Sequence, residues 1–401
     1  MNKYFFWIVA VISVPAFFGC VEDSEKSIHE IKSTTPQKID FISIPREVPE
    51  QEVRTLSIGT VAPYFSLPGV DGYQYSLDNF DNSPVLVIIF TCNHCPTSQA
   101  YEDRIISLVK DYKDRNVQFV AISPNSVNAL ILEDLGYSDL GDSFEEMKVR
   151  ALERKYNFPY LYDGDTQETT LKYGPTATPH AFIFNSDRKL RYHGRLDDTE
   201  KPGSTQANDL RSSIDAVLLG VDILEPVKET FGCPVKWSWQ SRRAKQVNKD
   251  WEQMPISVNE IGRTEVARLF SNPSDRLVMI NVWATWSGPS IIQYPAFIEM
   301  HRMYIGREFE FVSLSVDKLI HEEKVVNFLN DKKSSVRNYI YTGSDVSDLA
   351  KVVDLNWDGT LPYTIVLEPG GKIVYNKVGT INPLEVKKSI VDHPLIGRYY
   401  E

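Results

Sequence analysis

One order of parts occurs twice along this chain, and it restricts the fold more than any other feature. In the first copy, the apolar run Pro84–Phe90 enters the turn Thr91-Cys92-Asn93-His94-Cys95-Pro96. A helix-like stretch follows, with Tyr101, Ile105, Leu108 and Tyr112 at helical spacing. In the second copy, Arg276–Trp283 enters the turn Ala284–Ser290. Tyr294, Phe297, Ile298, Met300 and Tyr304 follow it. An unbroken apolar run bounded by a turn reads as a strand buried on both faces. Each copy then offers a second strand, Gln118–Ser123 and Glu310–Val316, so each is a strand–helix–strand crossover with a parallel sheet. Each copy ends in a proline-headed hairpin, from Thr178-Pro179 to Gly194 and from Leu361-Pro362 to Asn376. A last helix closes each, near Asp209–Leu219 and Leu384–Asp392. The class is α/β, and the architecture is a tandem repeat.

Length agrees: 401 residues suit about two domains. A hydrophobic share of 42% is enough for two cores. The net charge of −11, with no long basic patch, argues against a nucleic-acid partner. The short cluster Arg242, Arg243 and Lys245 reads as a solvated face. Four cysteines, Cys20, Cys92, Cys95 and Cys233, are too few for a disulfide scaffold, so each needs its own account.

Lys3 and the apolar run Tyr4–Phe18 resemble a signal peptide over residues 1–19, since the run is too short to span a bilayer comfortably. Gly19-Cys20 resembles the cleavage site of bacterial lipoproteins, in which the cysteine becomes the lipidated N-terminus; Phe17 departs from the usual leucine. Val21 is not aspartate, so the usual inner-membrane retention signal is missing and an outer-membrane position follows. Residues 20–53 are polar, acidic and proline-containing, and read as a flexible tether reaching about 30 Å.

Strand, redox turn, helix, strand, helix, proline-headed hairpin and helix is the order of thioredoxin-like proteins. The resemblance covers roughly 54–238 and 255–393. Phe90–Pro96, Phe158–Asp163, Thr178-Pro179, His193–Asp198 and Gly232–Trp237 make the first unit resemble the peroxiredoxin-like redoxins of the AhpC/TSA family. Trp283–Ser290 makes the second resemble periplasmic thioredoxins of the cytochrome-maturation type. The expectation is two tandem thioredoxin-like domains, each a central mixed sheet flanked by helices. They would occupy 54–220 and 255–401, joined by a linker at 221–254 that contains Cys233.

Disulfide exchange needs a thiolate, hence a thiol of lowered pKa. Two cysteines three apart at a helix start meet that need, because Cys92 would face free N–H groups and the positive end of the dipole. Pro96 suits a first turn. Cys92 is expected to attack, Cys95 to resolve and His94 to favour the thiolate. The resemblance implies a cis bond before Pro179, facing the cysteines, with the Thr178 backbone open to an extended substrate chain. Thioredoxins carry a buried acid six residues before the first cysteine; Leu86 stands there. Cys233 could resolve a mixed disulfide, ligate a metal or fill space.

Alternatives remain open at this level. Cys92, His94, Cys95 and Cys233 form a soft ligand set for copper or zinc in a carrier. A peroxidase would present Pro-x-x-x-Thr-x-x-Cys, but Ile89 holds the threonine position relative to Cys92. In the second unit Ser287 and Ser290 replace both cysteines, which excludes disulfide chemistry there, and His301 is too far along the helix to activate a serine. Trp283, Trp286 and Pro362 leave a scaffold for binding or docking. The expectation is an envelope thiol–disulfide oxidoreductase without a cofactor. Its partners would be protein or small thiols and disulfides and, through the lipid, a membrane. Its oligomeric state is not specified.

Overall fold

The computed structural model describes residues 35–201, 207–343, 346–353 and 356–399. The signal-peptide and Cys20 assignments and the first part of the tether lie outside them. No helix among the described residues is long and apolar enough to cross a membrane.

From residue 35 onward the expected tether is bound chain. Strands β1 (Gln37–Lys38), β2 (Ser66–Pro68) and β3 (Tyr73–Ser76) form an antiparallel sheet in the order β1-β3-β2. Phe41 sets its ring edge-on to Phe144, with centroids 4.7 Å apart. The Ser43 hydroxyl donates to the Asp165 carboxylate at 2.6 Å, and the Val48 N–H donates to the Ser238 hydroxyl at 2.9 Å. Polar composition suggests a disordered segment, but an aromatic anchor and paired backbone groups hold this one down.

The first large sheet is built around β4 (Val85–Phe90). Val85, Val87 and Ile89 enter one apolar cluster, and Leu86, Ile88 and Phe90 enter the one on the opposite face. That division is the two-sided burial an uninterrupted apolar run requires. Next come α1 (Pro96–Asp111), β5 (Val117–Ser123), α2 (Phe144–Arg154), β6 (Tyr160–Tyr162) and α3 (Glu168–Tyr173). They are followed by β7 (Ala177–Thr178), β8 (His180–Phe184), β9 (Leu190–Gly194) and α4 (Asn208–Leu219). The sheet order is β6-β5-β4-β8-β9. The first three strands run parallel, and β8 and β9 are antiparallel to their neighbours. Tyr101, Ile105, Leu108 and Tyr112 pack under the sheet as their spacing predicts.

The expected linker at 221–254 is structural too. Its strand β10 (Cys233–Pro234) pairs with β7, and its helix α5 (Ser241–Glu252) reaches the second domain. On α5, Arg242, Arg243 and Lys245 face solvent. Trp251 enters the second core, and its indole N–H donates to the Lys333 carbonyl at 3.1 Å.

The second sheet begins with β11 (Val258–Ile261), α6 (Arg263–Phe270), β12 (Leu277–Trp283) and α7 (Gly288–Tyr304). It continues with β13 (Phe309–Ser315), α8 (Glu322–Asp331), β14 (Arg337–Tyr341) and α9 (Val346–Val353). Strands β15 (Tyr363–Leu367) and β16 (Ile373–Val378) and helix α10 (Pro383–Val391) complete it. The order is β11-β14-β13-β12-β15-β16. From β14 to β16 this repeats the first sheet strand for strand, and β11 adds an edge. Strand β12 splits its side chains between two clusters as β4 does: Leu277, Met279 and Trp283 on one face, Val278, Ile280 and Val282 on the other. The bonds before Pro179 and Pro362 are both cis.

The two domains meet at the segment between β5 and α2. Leu135 from that segment lies in the second domain's core. The Tyr304 hydroxyl donates to the Ser138 carbonyl at 2.9 Å, Arg302 pairs with Glu133 at 3.0 Å, and Arg398 pairs with Asp139 at 2.5 Å.

Candidate active site

The turn from β4 into α1 carries the first domain's two motif cysteines. Cys95 is the N-cap of α1 and Pro96 its first residue, so Cys95 receives the helix-start environment. Cys92 sits three residues earlier. The turn is clasped by one carboxylate that the sequence does not announce, Asp142. Its Oδ1 accepts the N–H groups of Asn93 at 2.9 Å and His94 at 3.1 Å. Its Oδ2 pairs with His94 Nδ1 at 2.6 Å and accepts from Asn125 Nδ2 at 2.7 Å. Asn93 is held further: its amide donates to the Gly141 carbonyl at 2.7 Å, and the Tyr160 hydroxyl donates to its Oδ1 at 3.3 Å.

Thr178 joins both sulfurs. Its Oγ1 shares a hydrogen bond with Cys92 Sγ at 3.2 Å, and its carbonyl accepts from Cys95 Sγ at 3.1 Å when that group is a thiol. Cys92 Sγ is also 3.5 Å from His94 Nδ1. Thus the turn, His94 and the Thr178-Pro179 bond meet at one place. Cys92, Cys95 and Cys233 are not joined by a disulfide in this structure.

The surroundings of the two sulfurs differ from the helix-start expectation. Cys92 is 3% exposed and Cys95 is fully buried, so neither is the solvent-reachable thiol that the helix-start reading assigns to Cys92. Burial, aided by a hydrogen bond with Cys95 and the nearby Asp142 charge, pushes the Cys92 thiol well above its ordinary value. Cys95 also loses solvent, which raises it. Hydrogen bonds from Cys233 and Cys92, the His94 charge and the Ser98 amide outweigh that and bring it well below its ordinary value. The thiolate therefore belongs to Cys95. Burial lowers His94, but the charge and hydrogen bond of Asp142 override it and leave the imidazole raised. Asp142 is held low, its burial outweighed by His94 and Asn125. Asp142 thus favours the charged form of His94 beside the sulfurs.

The edge expected to receive an extended substrate chain is already taken. Strand β10 pairs antiparallel with β7, with Cys233 opposite Thr178 and Pro234 opposite Ala177. The Cys233 N–H donates to Cys95 Sγ at 3.3 Å, and Thr178 Oγ1 donates to the Cys233 carbonyl at 3.3 Å. Gly232 lies at φ +130°, and a Cβ there would sit 2.1 Å from the Thr178 carbonyl oxygen. Only glycine permits so close an approach.

Cys92, His94 and Asp142 bring potential metal-ligand atoms within 4.8 Å of one another. The four hydrogen bonds just described already fill the carboxylate's acceptor capacity, so the arrangement fits a clasp better than a metal site. Ile89, at the sequence position where a peroxidase would carry its threonine, is buried in the core.

In the second domain Ser290 donates to Ser287 at 2.8 Å in the corresponding turn, ahead of cis Pro362. His301 is pushed down to about 4 by burial and reaches neither serine; its ring lies beside Trp251. Trp283 is buried and Trp286 is 66% exposed.

Residues 58–193 match the family model described as AhpC/TSA family. None of the curated proteins matches the chain. Among solved structures, an uncharacterized conserved protein from Geobacillus kaustophilus is 36% identical, covering 48% of this chain and 98% of its own, with a TM-score of 0.41. A hypothetical protein from Sinorhizobium meliloti is 31% identical, covering 47% and 98%, with a TM-score of 0.41. A thiol:disulfide interchange protein of the thioredoxin family from Chlorobium tepidum is 16% identical, covering 41% and 99%, with a TM-score of 0.31.

Proposed function

Because the first domain is a redoxin domain of the thioredoxin-like superfamily, with its family segment at residues 58–193, we propose that the chain is a thiol–disulfide oxidoreductase whose working pair is Cys92 and Cys95. The observation that carries this reading is the convergence on Thr178: one sulfur on its hydroxyl at 3.2 Å, the other on its carbonyl at 3.1 Å, immediately before Pro179. His94 and the α1 start stabilise the thiolate form, which is the form that attacks or leaves. The pair cycles between two thiols and one disulfide with substrate thiols, proteins or small molecules. The second domain acts by docking rather than chemistry, since hydroxyls replace its sulfurs. The protein works in the bacterial envelope, held at the outer membrane by a lipid on Cys20. That part rests on the N-terminal sequence pattern.

Titrating the full chain in dithiothreitol buffers should reveal one two-electron couple, with a Cys92–Cys95 disulfide identified by mass. Cys92→Ser and Cys95→Ser should each lower exchange with a small disulfide by about a hundredfold or more. Unchanged exchange in both variants would overturn the proposal. Labelled fatty acid should appear on the full chain in cells and be lost in Cys20→Ser, with release from the membrane fraction; label retained by the variant would refute the anchor.

A further inference from the structure

A redox pair that solvent cannot reach needs a route to its substrates. Cys92 and Cys95 are 3% and 0% exposed, whereas Cys233 is half-buried, and Cys233 is the residue laid across them. Three observations fix it there. Its backbone is paired with Thr178 in register. Its N–H donates to Cys95 Sγ at 3.3 Å. Its side chain is near enough to help hold the Cys95 thiol below its ordinary value. The strap Gly232–Pro234 thus occupies the position an extended peptide substrate would take, with a thiol of its own against the buried pair.

We propose that Cys233 is the third redox thiol of this site, a relay through which the buried Cys92–Cys95 pair exchanges disulfides with outside thiols. This rests on the oxidoreductase reading above and adds the entry route.

The chemistry closes without another reagent. From the Cys92–Cys95 disulfide, the Cys233 thiolate attacks Sγ of Cys95. The bond between the sulfurs of Cys95 and Cys233 forms, the bond between those of Cys92 and Cys95 breaks, and Cys92 leaves with the electron pair and takes a proton. The proton released by Cys233 balances the one gained by Cys92, and the oxidation level is unchanged. An outside thiolate then attacks Sγ of Cys233, the one partly exposed residue of the three, and Cys95 leaves. A good leaving sulfur is one stable as a thiolate, and Cys95 takes the amides of Ser98 and Cys233 in that state. A second outside thiol resolves the mixed disulfide on Cys233. Two outside thiols have become a disulfide, and the pair has gained two electrons and two protons. Run backwards, the same steps reduce an outside disulfide.

Gly232 is the hinge on which this depends. With its Cβ position 2.1 Å from the Thr178 carbonyl oxygen, any side chain there lifts the strap from β7 and carries Cys233 away from Cys95.

The test uses the full chain. Cys92→Ser protein, oxidised with diamide and digested without reduction, should yield a Cys95–Cys233 cross-linked peptide as its main disulfide product. Adding Gly232→Ala to that variant should abolish the cross-link. Cys233→Ser should still form the Cys92–Cys95 disulfide, but dithiothreitol should reduce it about tenfold or more slowly than in the unmodified chain. If Cys95 and Cys233 stay unlinked, or the link survives Gly232→Ala, or Cys233→Ser is reduced at the unmodified rate, the relay is overturned while the Cys92–Cys95 couple stands. If no Cys92–Cys95 disulfide forms even in the unmodified chain, the oxidoreductase reading fails and takes the relay with it.

Discussion

Asp142 is the buried carboxylate of the redox turn, and it does not come from the central strand. Leu86, on that strand, lies in the core, so the carboxylate arrives instead from the segment before α2. Asp142→Asn should remove the counter-charge that raises His94. With the charged imidazole less favoured, the ultraviolet thiolate titration of Cys95 should move upward by about one unit or more. The same change should cost about 3–5 kcal/mol in urea unfolding, because one partner of a buried pair is lost. That difference should depend on pH. The folded histidine is raised above its ordinary 6.5, so its share is complete below 6.5 and disappears as pH rises through the raised value. The folded carboxylate is depressed below its ordinary 3.8, so its share is present above 3.8 and is lost as pH falls through the depressed value. The gap between the two proteins should be widest between those pH limits; a gap independent of pH would contradict the pairing. The cysteines, His94 and Pro179 were legible because their types and spacing are themselves the signal. Asp142 was not, since Ser143-x-x-Glu146 marks only a helix start and nothing in the sequence says which turn that start will face.

At the level of elements, periodicity located strands and helices wherever one face or both are apolar. The alternation along β4 and β12 and the spacing along α1 reach the clusters their sequences imply. It failed where a segment is held by a few contacts. Residues 37–48 look like tether, and 221–254 like linker, because their order comes from backbone pairing and single anchors. Strand β11 and helix α6 are short enough to leave little periodic signal. Phe41 shows how little is needed, with Phe144 at 4.7 Å and Tyr162 at 6.3 Å. Phe41→Ala should cost about 1–2 kcal/mol in urea unfolding. It should also make the bond after Arg46 open to trypsin, which the unmodified chain should resist. Equal cleavage of the two proteins would show that this segment is not fastened by Phe41.

Across the whole molecule, the cysteine-free domain touches the site through the segment that holds Asp142. The Tyr304 hydroxyl donates to the Ser138 carbonyl, and the Ser138 hydroxyl lies 3.4 Å from the Asn93 carbonyl inside the redox turn. Arg398 lands on Asp139, three residues before the clasp, and Lys388 pairs with Glu153 on α2. These contacts make the cysteine-free domain a brace for the segment that holds Asp142. Tyr304→Phe should cost about 1 kcal/mol and should also shift the midpoint of the Cys92–Cys95 couple in thiol buffers. A stability loss with an unmoved midpoint would confine the second domain to support. The tandem arrangement was legible as a repeat of parts. The seating of one copy on the other was not, since it depends on Leu135 and its neighbours, whose sequence resembles an ordinary loop.

Strand β10 lies between α4, which belongs to the first sheet, and α5, whose Trp251 is rooted in the second core. The cover over the sulfurs is therefore also the cord that ties the two bodies together. The residue laid against Cys95 is thereby anchored on both sides, through α4 in the first domain and through Trp251 in the second core.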